Sequence, residues 1–272
     1  MQTIDVQMPH QATMIEAARF PRLPIVGLPV HMMNISQVVS LMTDWACVDR
    51  GRRHWIVVAD MHAVVEAHRD VEFRRMLNHA DLIVPDGIGL VRVAQLKGAS
   101  LRARVAGTDL MKAFFSHTRE MGLSHYFMGD TEETLGLLQR NLHRSYPGIE
   151  IAGASSPPFR ALTESDNDIL IDQINHANPD VLWVGLGLPK QERWIFAHRH
   201  RLNVPLVLGV GAAFKFLAGT VKRVPHSMGN LGFKWLWRFA HEPRRLWRRI
   251  MVEAPQFVGL AALDVTGLRR FS

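Results

Sequence analysis

The chain has a single cysteine among its 272 residues, Cys47, so no internal disulfide can form, which suits a reducing compartment. No apolar run approaches the ~20 residues that a membrane span needs. The best candidate, Pro205 to Leu217, is short and contains Lys215. Met1 to Pro24 carries Asp5 and Glu16 and has no apolar block, so it does not read as a secretory signal. The histidines and the one cysteine never cluster at metal-ligand spacing. Neither a P-loop nor a GxGxxG fingerprint occurs, and no internal repeat or low-complexity segment is present. What remains is the composition of an ordinary globular protein, 47% apolar and 21% charged.

The charge is unevenly placed. Between Gly219 and Ile250, Lys222, Arg223, Lys234, Arg238, Arg244, Arg245, Arg248 and Arg249 face Glu242 alone, and these account for the whole net charge of +7. A basic segment on a neutral body points to an anionic partner. Trp235, Trp237 and Trp247 are interleaved with it, which favours a membrane interface. No nucleic-acid recognition motif accompanies the patch. On one continuous helix Arg238, Arg245 and Arg248 would share a face, and arginines grip phosphate bidentately.

Up to Gly219 apolar runs of strand length alternate with helical patterns. That predicts an α/β fold with a Rossmann-like parallel-sheet core, in one or two subdomains, followed by a C-terminal helical appendage. The divisions are residues 1–23 as an N-terminal arm, 24–219 as the core and 220–272 as the basic, aromatic appendage. The expected elements include one strand from Ile25 to Val30, helical pattern from Met61 to Leu77, and a helix from Leu110 capped by Thr108.

Leu82-Ile83-Val84-Pro85-Asp86-Gly87 reads as a buried strand halted just before a carboxylate. Chemistry in α/β sheets sits at the carboxyl ends of strands. Asp86 either caps the following helix or presents its carboxylate, and residue type alone leaves both open. Two glycine turns, Gly185-Leu186-Gly187 and Gly209-Val210-Gly211, also leave strands. Free N–H groups at such turns favour phosphate, and Lys190 adds a charge; a plain tight turn is the other reading. Asp166-Asn167-Asp168 looks like the DxD of metal-using sugar transferases, but acids in a first helical turn are the commoner reason for such a run.

Taken together, ADLIVPDGIG (80–89), VAGTDL (105–110), VGLGLPKQE (184–192), GVGAAFKFLAG (209–219) and Arg223 to Pro225 with GFKWLWRFAHEPRRLWRR (232–249) resemble the WecG/TagA/CpsF glycosyltransferases, family 26. The resemblance implies an inverting, metal-independent enzyme with no cofactor. Such an enzyme moves a sugar from a UDP-sugar to a sugar on undecaprenyl diphosphate, at the cytoplasmic face of the plasma membrane, in surface polysaccharide synthesis. It places the base on Asp86, donor contacts on Asp60, Gly107, Asp109, Gly185, Gly187, Lys190, Gln191, Gly211 and Lys215, and the acceptor diphosphate on Arg238, Arg245 and Arg248. Its partners are then the donor, the polyprenyl-linked acceptor and the membrane surface, with no nucleic acid; homo-oligomerisation stays open. Three residues depart from the family pattern: Val58 and Asp60 stand where Thr-x-Asn is usual, and Lys215 stands where an aspartate is usual. A nucleotide-sugar epimerase or dehydrogenase, or a non-catalytic membrane-associated relative, are the alternatives.

Overall fold

The computed structural model describes residues 20–101, 104–221 and 247–271. The chain opens with an antiparallel hairpin, β1 (Arg22–Ile25) and β2 (Leu28–His31). Where the sequence reads as one strand, the backbone turns at Val26 and Gly27, both at positive φ (50° and 81°). A valine in that region is unusual, so the apolar pattern conceals the turn. α1 (Ile35–Cys47) starts with a capping box between Asn34 and Gln37.

β3 (His54–Ala59) leads into α2 (Met61–Arg69) and α3 (Val71–Leu77). The single helical pattern is broken at Asp70, whose backbone is extended. Its carboxylate accepts from the N–H groups of Glu72 and Phe73 (2.9 and 3.0 Å) and begins a second helix. β4 (Leu82–Pro85), α4 (Ile88–Leu96) and α5 (Gly107–Thr118) follow. α5 starts earlier than the sequence suggests, with Ala106 at the cap position, so Thr108 lies in the first turn instead of capping it.

The remaining strands are β5 (Ser124–Gly129), β6 (Glu150–Ser155), β7 (Val181–Gly185) and β8 (Leu206–Gly209). β3 to β8 make one six-stranded parallel sheet in the order β4-β3-β8-β7-β5-β6. Every residue of β3, β4 and β8 is buried, as a parallel sheet covered on both faces requires. Alternate side chains face alternate layers. Trp55, Val57 and Ala59 meet α2, α3, α4, α7 (Glu164–Ala177) and α8 (Lys190–His198). Ile56 and Val58 meet the layer of α1, α5, α6 (Glu132–Ser145) and α9 (Ala213–Ala218).

A final helix, α10 (Ala254–Val265), follows a π-helical turn at Arg249–Glu253. Sequence groups it with the basic appendage, yet Phe257, Leu260 and Ala261 are buried in the first layer. Asp264 accepts from the Val26 N–H (2.8 Å) and pairs with Lys97 (2.9 Å). The apolar face of α10 thus belongs to the core, whatever the basic segment before it does.

Helices leaving β3, β4, β6 and β7 lie on one face, and those leaving β5 and β8 on the other. β8 and its neighbours β3 and β7 therefore send their chains to opposite faces, which opens a crevice at the carboxyl edge. The amino edge is closed by acids. Asp81 accepts from Trp55 N–H (2.8 Å), and Asp180 accepts from the Ser124 N–H (2.7 Å) and hydroxyl (3.0 Å) while pairing with Arg50. Asp180→Ala should lower the unfolding free energy by about 1–3 kcal/mol, because buried donors lose their acceptor. Arg50→Ala, which removes the half-exposed partner, should cost about 0–1 kcal/mol. Denaturant titration of both variants checks this; equal losses would show that the ion pair dominates instead of the strand-start hydrogen bonds.

Candidate active site

Asp60 and Asp86 stand side by side at the carboxyl ends of β3 and β4. The Asp86 N–H donates to the Ala59 carbonyl (2.7 Å), which joins the two strand ends. A Cβ on Gly87 would lie 3.7 Å from Asp60, so the turn after Asp86 rests on that residue. The two carboxylates do different work. Asp60 caps α2, its Oδ1 accepting from His62 N–H (2.9 Å) and Ala63 N–H (3.1 Å). Its Oδ2 takes the Arg249 guanidinium (2.8 Å). Asp86 caps nothing: Gly87 holds the cap position of α4, which has no side-chain cap. The cap reading of Asp86 therefore falls, and it is Asp60 that caps a helix.

Burial pushes the Asp86 carboxyl up to about 7; the Asp60 charge adds to this, Arg104 and Arg249 oppose it, and Asp109 adds again. Val105 N–H donates to the Pro85 carbonyl (2.7 Å), which lays the Arg104 segment along the end of β4. A carboxyl poised near neutrality, with two arginines close by, can accept a proton from a hydroxyl.

The glycine turns sit at the ends of β7 and β8, next to β3, as their pattern implies. Their N–H groups do not all point outward. Gln191, which is buried, lays its side-chain Oε1 between them and accepts from Gly187 N–H (3.1 Å) and Gly211 N–H (3.0 Å). The expectation that these turns present their N–H groups to phosphate is corrected for these two. The turn glycines have packing reasons as well. A Cβ on Gly209 would stand 2.6 Å from Gln191 Nε2, and one on Gly185 would stand 2.6 Å from the Phe214 ring. Gly107 seats α5 against Val210, with a Cβ there 3.5 Å from the Val210 carbonyl.

Lys190, the first residue of α8, is exposed, and so is Asp109 in the first turn of α5. Lys215 does not meet Asp60. It lies 3.9 Å from Asp130, at the end of β5, and is about one-third exposed (35%). Arg248 is exposed just before the π-helical turn. Arg238 and Arg245 lie outside the described residues.

Several participants escaped the sequence reading. Arg249 reaches Asp60 across 189 residues, and Arg104 acts on Asp86 from a loop with no motif of its own. Glu192, fully buried, is pushed up to about 7 by burial, against its hydrogen bond from Gln191. Glu253, also buried, pairs with His62 (2.8 Å) and so ties the π-helical turn to α2. The signal available for Arg249 was its place in the basic excess.

Asp166-Asn167-Asp168 is taken up structurally. Asp166 completes a capping box with Thr163 and pairs with Arg160, Asn167 accepts from Trp194 Nε1 (2.9 Å), and Asp168 pairs with Arg201 (2.7 Å). Among the described residues no group of three His, Cys, Asp or Glu could hold a metal ion.

The profile of the glycosyl transferase WecG/TagA/CpsF family matches residues 23–270. Three relatives carry the name N-acetylglucosaminyldiphosphoundecaprenol N-acetyl-beta-D-mannosaminyltransferase. That of Bacillus spizizenii is 32% identical over 234 residues, covering 85% of this chain and 88% of the relative. That of Bacillus subtilis is 29% identical over 232 residues, covering 82% and 87%. That of Staphylococcus aureus is 25% identical over 236 residues, covering 87% and 91%.

The geometry makes a prediction about Asp86 itself. Asp60→Asn keeps an acceptor for the α2 cap, removes a negative charge beside Asp86 and frees the charge of Arg249. The last two favour ionised Asp86, so its midpoint should fall below about 7. Carboxyl carbon shifts followed against pH read this directly; a midpoint that stays or rises means Asp60 does not set it.

Proposed function

The chain belongs to the WecG/TagA/CpsF glycosyltransferase family, and from that premise we propose that it transfers an N-acetylhexosaminyl group from a UDP-sugar to a sugar carried on undecaprenyl diphosphate. The single observation that carries the chemistry is Asp86, a strand-end carboxyl that caps nothing and is held near 7. In this reading the acceptor hydroxyl loses its proton to Asp86 as its oxygen attacks the anomeric carbon. Attack from the face opposite the departing UDP inverts that carbon. The leaving diphosphate gathers negative charge, which Arg104 and Lys190 are assigned to stabilise. That charge is thus given to cations of the chain and not to a metal.

The acceptor's lipid places the reaction at a membrane surface. Among the described residues no helix is long and apolar enough to cross a membrane. We assign the approach to the basic, tryptophan-containing segment of residues 222–249, with peripheral binding at the inner face of the plasma membrane. Each basic residue near an anionic leaflet contributes on the order of 1 kcal/mol. Because α10 packs on the core, neutralising arginines is a cleaner test than truncation. Arg238→Gln with Arg245→Gln should weaken sedimentation with anionic vesicles, and added salt should weaken the parent chain likewise. Salt-independent binding, unchanged in the variant, would remove the segment from this role.

The central test is transfer from a panel of UDP-N-acetylhexosamines to N-acetylglucosaminyl-diphosphoundecaprenol. Asp86→Asn should keep the fold and cut turnover by roughly 10²-fold or more. Since only ionised Asp86 can accept the proton, kcat/KM should rise with pH up to about 7 and then level off. Transfer should persist in a chelator. Near-normal turnover in folded Asp86→Asn would end the base assignment, and activity lost to chelator but restored by manganese would end the metal-free one.

A further inference from the structure

Gln191 and Glu192 are consecutive and both buried, at 3% and 0% exposure. Consecutive residues on a helix point about 100° apart. Two such side chains both turned inward at the start of α8 need a reason, since buried polar groups are costly unless satisfied. Glu192 Oε1 accepts from Gln191 Nε2 (2.8 Å). On its other side the Gln191 amide accepts from the Gly187 and Gly211 N–H groups. A side-chain amide has one accepting end and one donating end. With two N–H donors on one side and a carboxyl on the other, only one orientation satisfies all four groups. Reversed, the amide would set its NH2 against two N–H groups and its oxygen against the carboxyl. Glu192 takes the donating end of the amide and so, together with the two N–H groups, holds the orientation in which Gln191 joins the turn leaving β7 to the turn leaving β8.

The neighbouring residues are shaped to the same end. Gly209 leaves the space in which the amide lies, since a Cβ there would come within 2.6 Å of Nε2 and 2.9 Å of the amide carbon. Gly187 and Gly211 both adopt positive φ (80° and 52°), which turns their N–H groups back toward Gln191. Glu192 Oε2 is buried with no hydrogen-bond partner. If Glu192 only filled space, an apolar side chain of similar volume would serve better.

We propose that Glu192 is a positioning residue for the donor site: its carboxyl group fixes the Gln191 amide, and through that amide holds the two glycine turns at the spacing that receives a nucleoside diphosphate. The ligand half of this rests on the UDP-sugar reading above; the clamp half rests on the geometry alone. A diphosphate then meets turns that are already held in place, which lowers the cost of binding.

Three variants of the full chain separate the parts. Glu192→Gln keeps a carbonyl oxygen that can accept from Gln191. Glu192→Asp keeps the carboxyl but shortens its reach by one methylene. Glu192→Leu removes the acceptor. The first readout is hydrogen exchange at the Gly187 and Gly211 amides, which does not depend on activity. Exchange should quicken roughly 10-fold in Glu192→Leu and Glu192→Asp and stay near the parent rate in Glu192→Gln, the scale of one buried hydrogen bond lost. The second is calorimetric binding of UDP alone, expected to weaken by roughly 10-fold in the same two variants. The third is transfer, where KM for the UDP-sugar should rise by that factor while kcat changes by less than about 3-fold, as loss of uniform binding requires.

Unchanged exchange in both Glu192→Leu and Glu192→Asp would overturn the clamp. Faster exchange with unchanged UDP affinity would overturn its service to the donor. Glu192→Gln behaving like Glu192→Leu would show that charge matters and orientation does not, which also overturns it. If Glu192→Leu does not fold, Glu192→Asp and the near-isosteric Glu192→Gln carry the same decision. A parent chain that binds no UDP would overturn the ligand half and the donor reading together, while the exchange data still decide the clamp.

Discussion

A parallel sheet buried on both faces constrains everything else in this protein. Each crossover helix must lie on one layer or the other, so polar chemistry is confined to the two edges where strands begin and end. Both edges carry acids, for opposite reasons. At the amino edge, Asp81 and Asp180 accept from N–H groups where strands start. At the carboxyl edge, Asp60 serves the start of a helix, and Asp86 has no backbone group to serve.

The electrostatics of the carboxyl edge follow from burial first and neighbouring charge second. Burial raises the Asp86 and Glu192 carboxyls, and the Asp60 charge adds to both. Hydrogen-bond supply differs between the three groups. Asp60 receives two backbone N–H groups and a guanidinium. Glu192 receives one side-chain N–H, and Asp86 is left to the field of Arg104 and Arg249. Asp60 and Asp86 thus differ in surroundings, with no difference of residue type.

The sheet and most of its helices were legible because apolar runs and amphipathic stretches alternate without interruption. Legibility failed where a local rule was broken by a residue that gives no warning. Val26 turns a hairpin from within an apolar run, and Asp70 divides a stretch that is helical on both sides. At the site, Asp86 could be read because it follows a strand that stops abruptly. The partnerships around it could not. The Arg249 to Asp60 pair spans 189 residues, and Gln191 reaches Gly211 across 20. A sequence shows which residues stand at strand ends; it does not show which N–H groups are already taken. That is why the glycine turns looked like open phosphate cradles and proved to be partly closed by a glutamine.

The same accounting separates two of the positions that depart from the family pattern. Asp60 uses both oxygens, one for the α2 cap and one for Arg249, so a ligand must break an existing contact to engage it. Lys215 is bound only loosely to Asp130, at 3.9 Å, and remains about one-third exposed (35%). The pair is long, but the Asp130 carboxylate is largely buried, so another anion at Lys215 would compete with it. On the proposed function, Lys215 is the position that would meet donor charge, and Asp60 bears on Asp86 through its own charge.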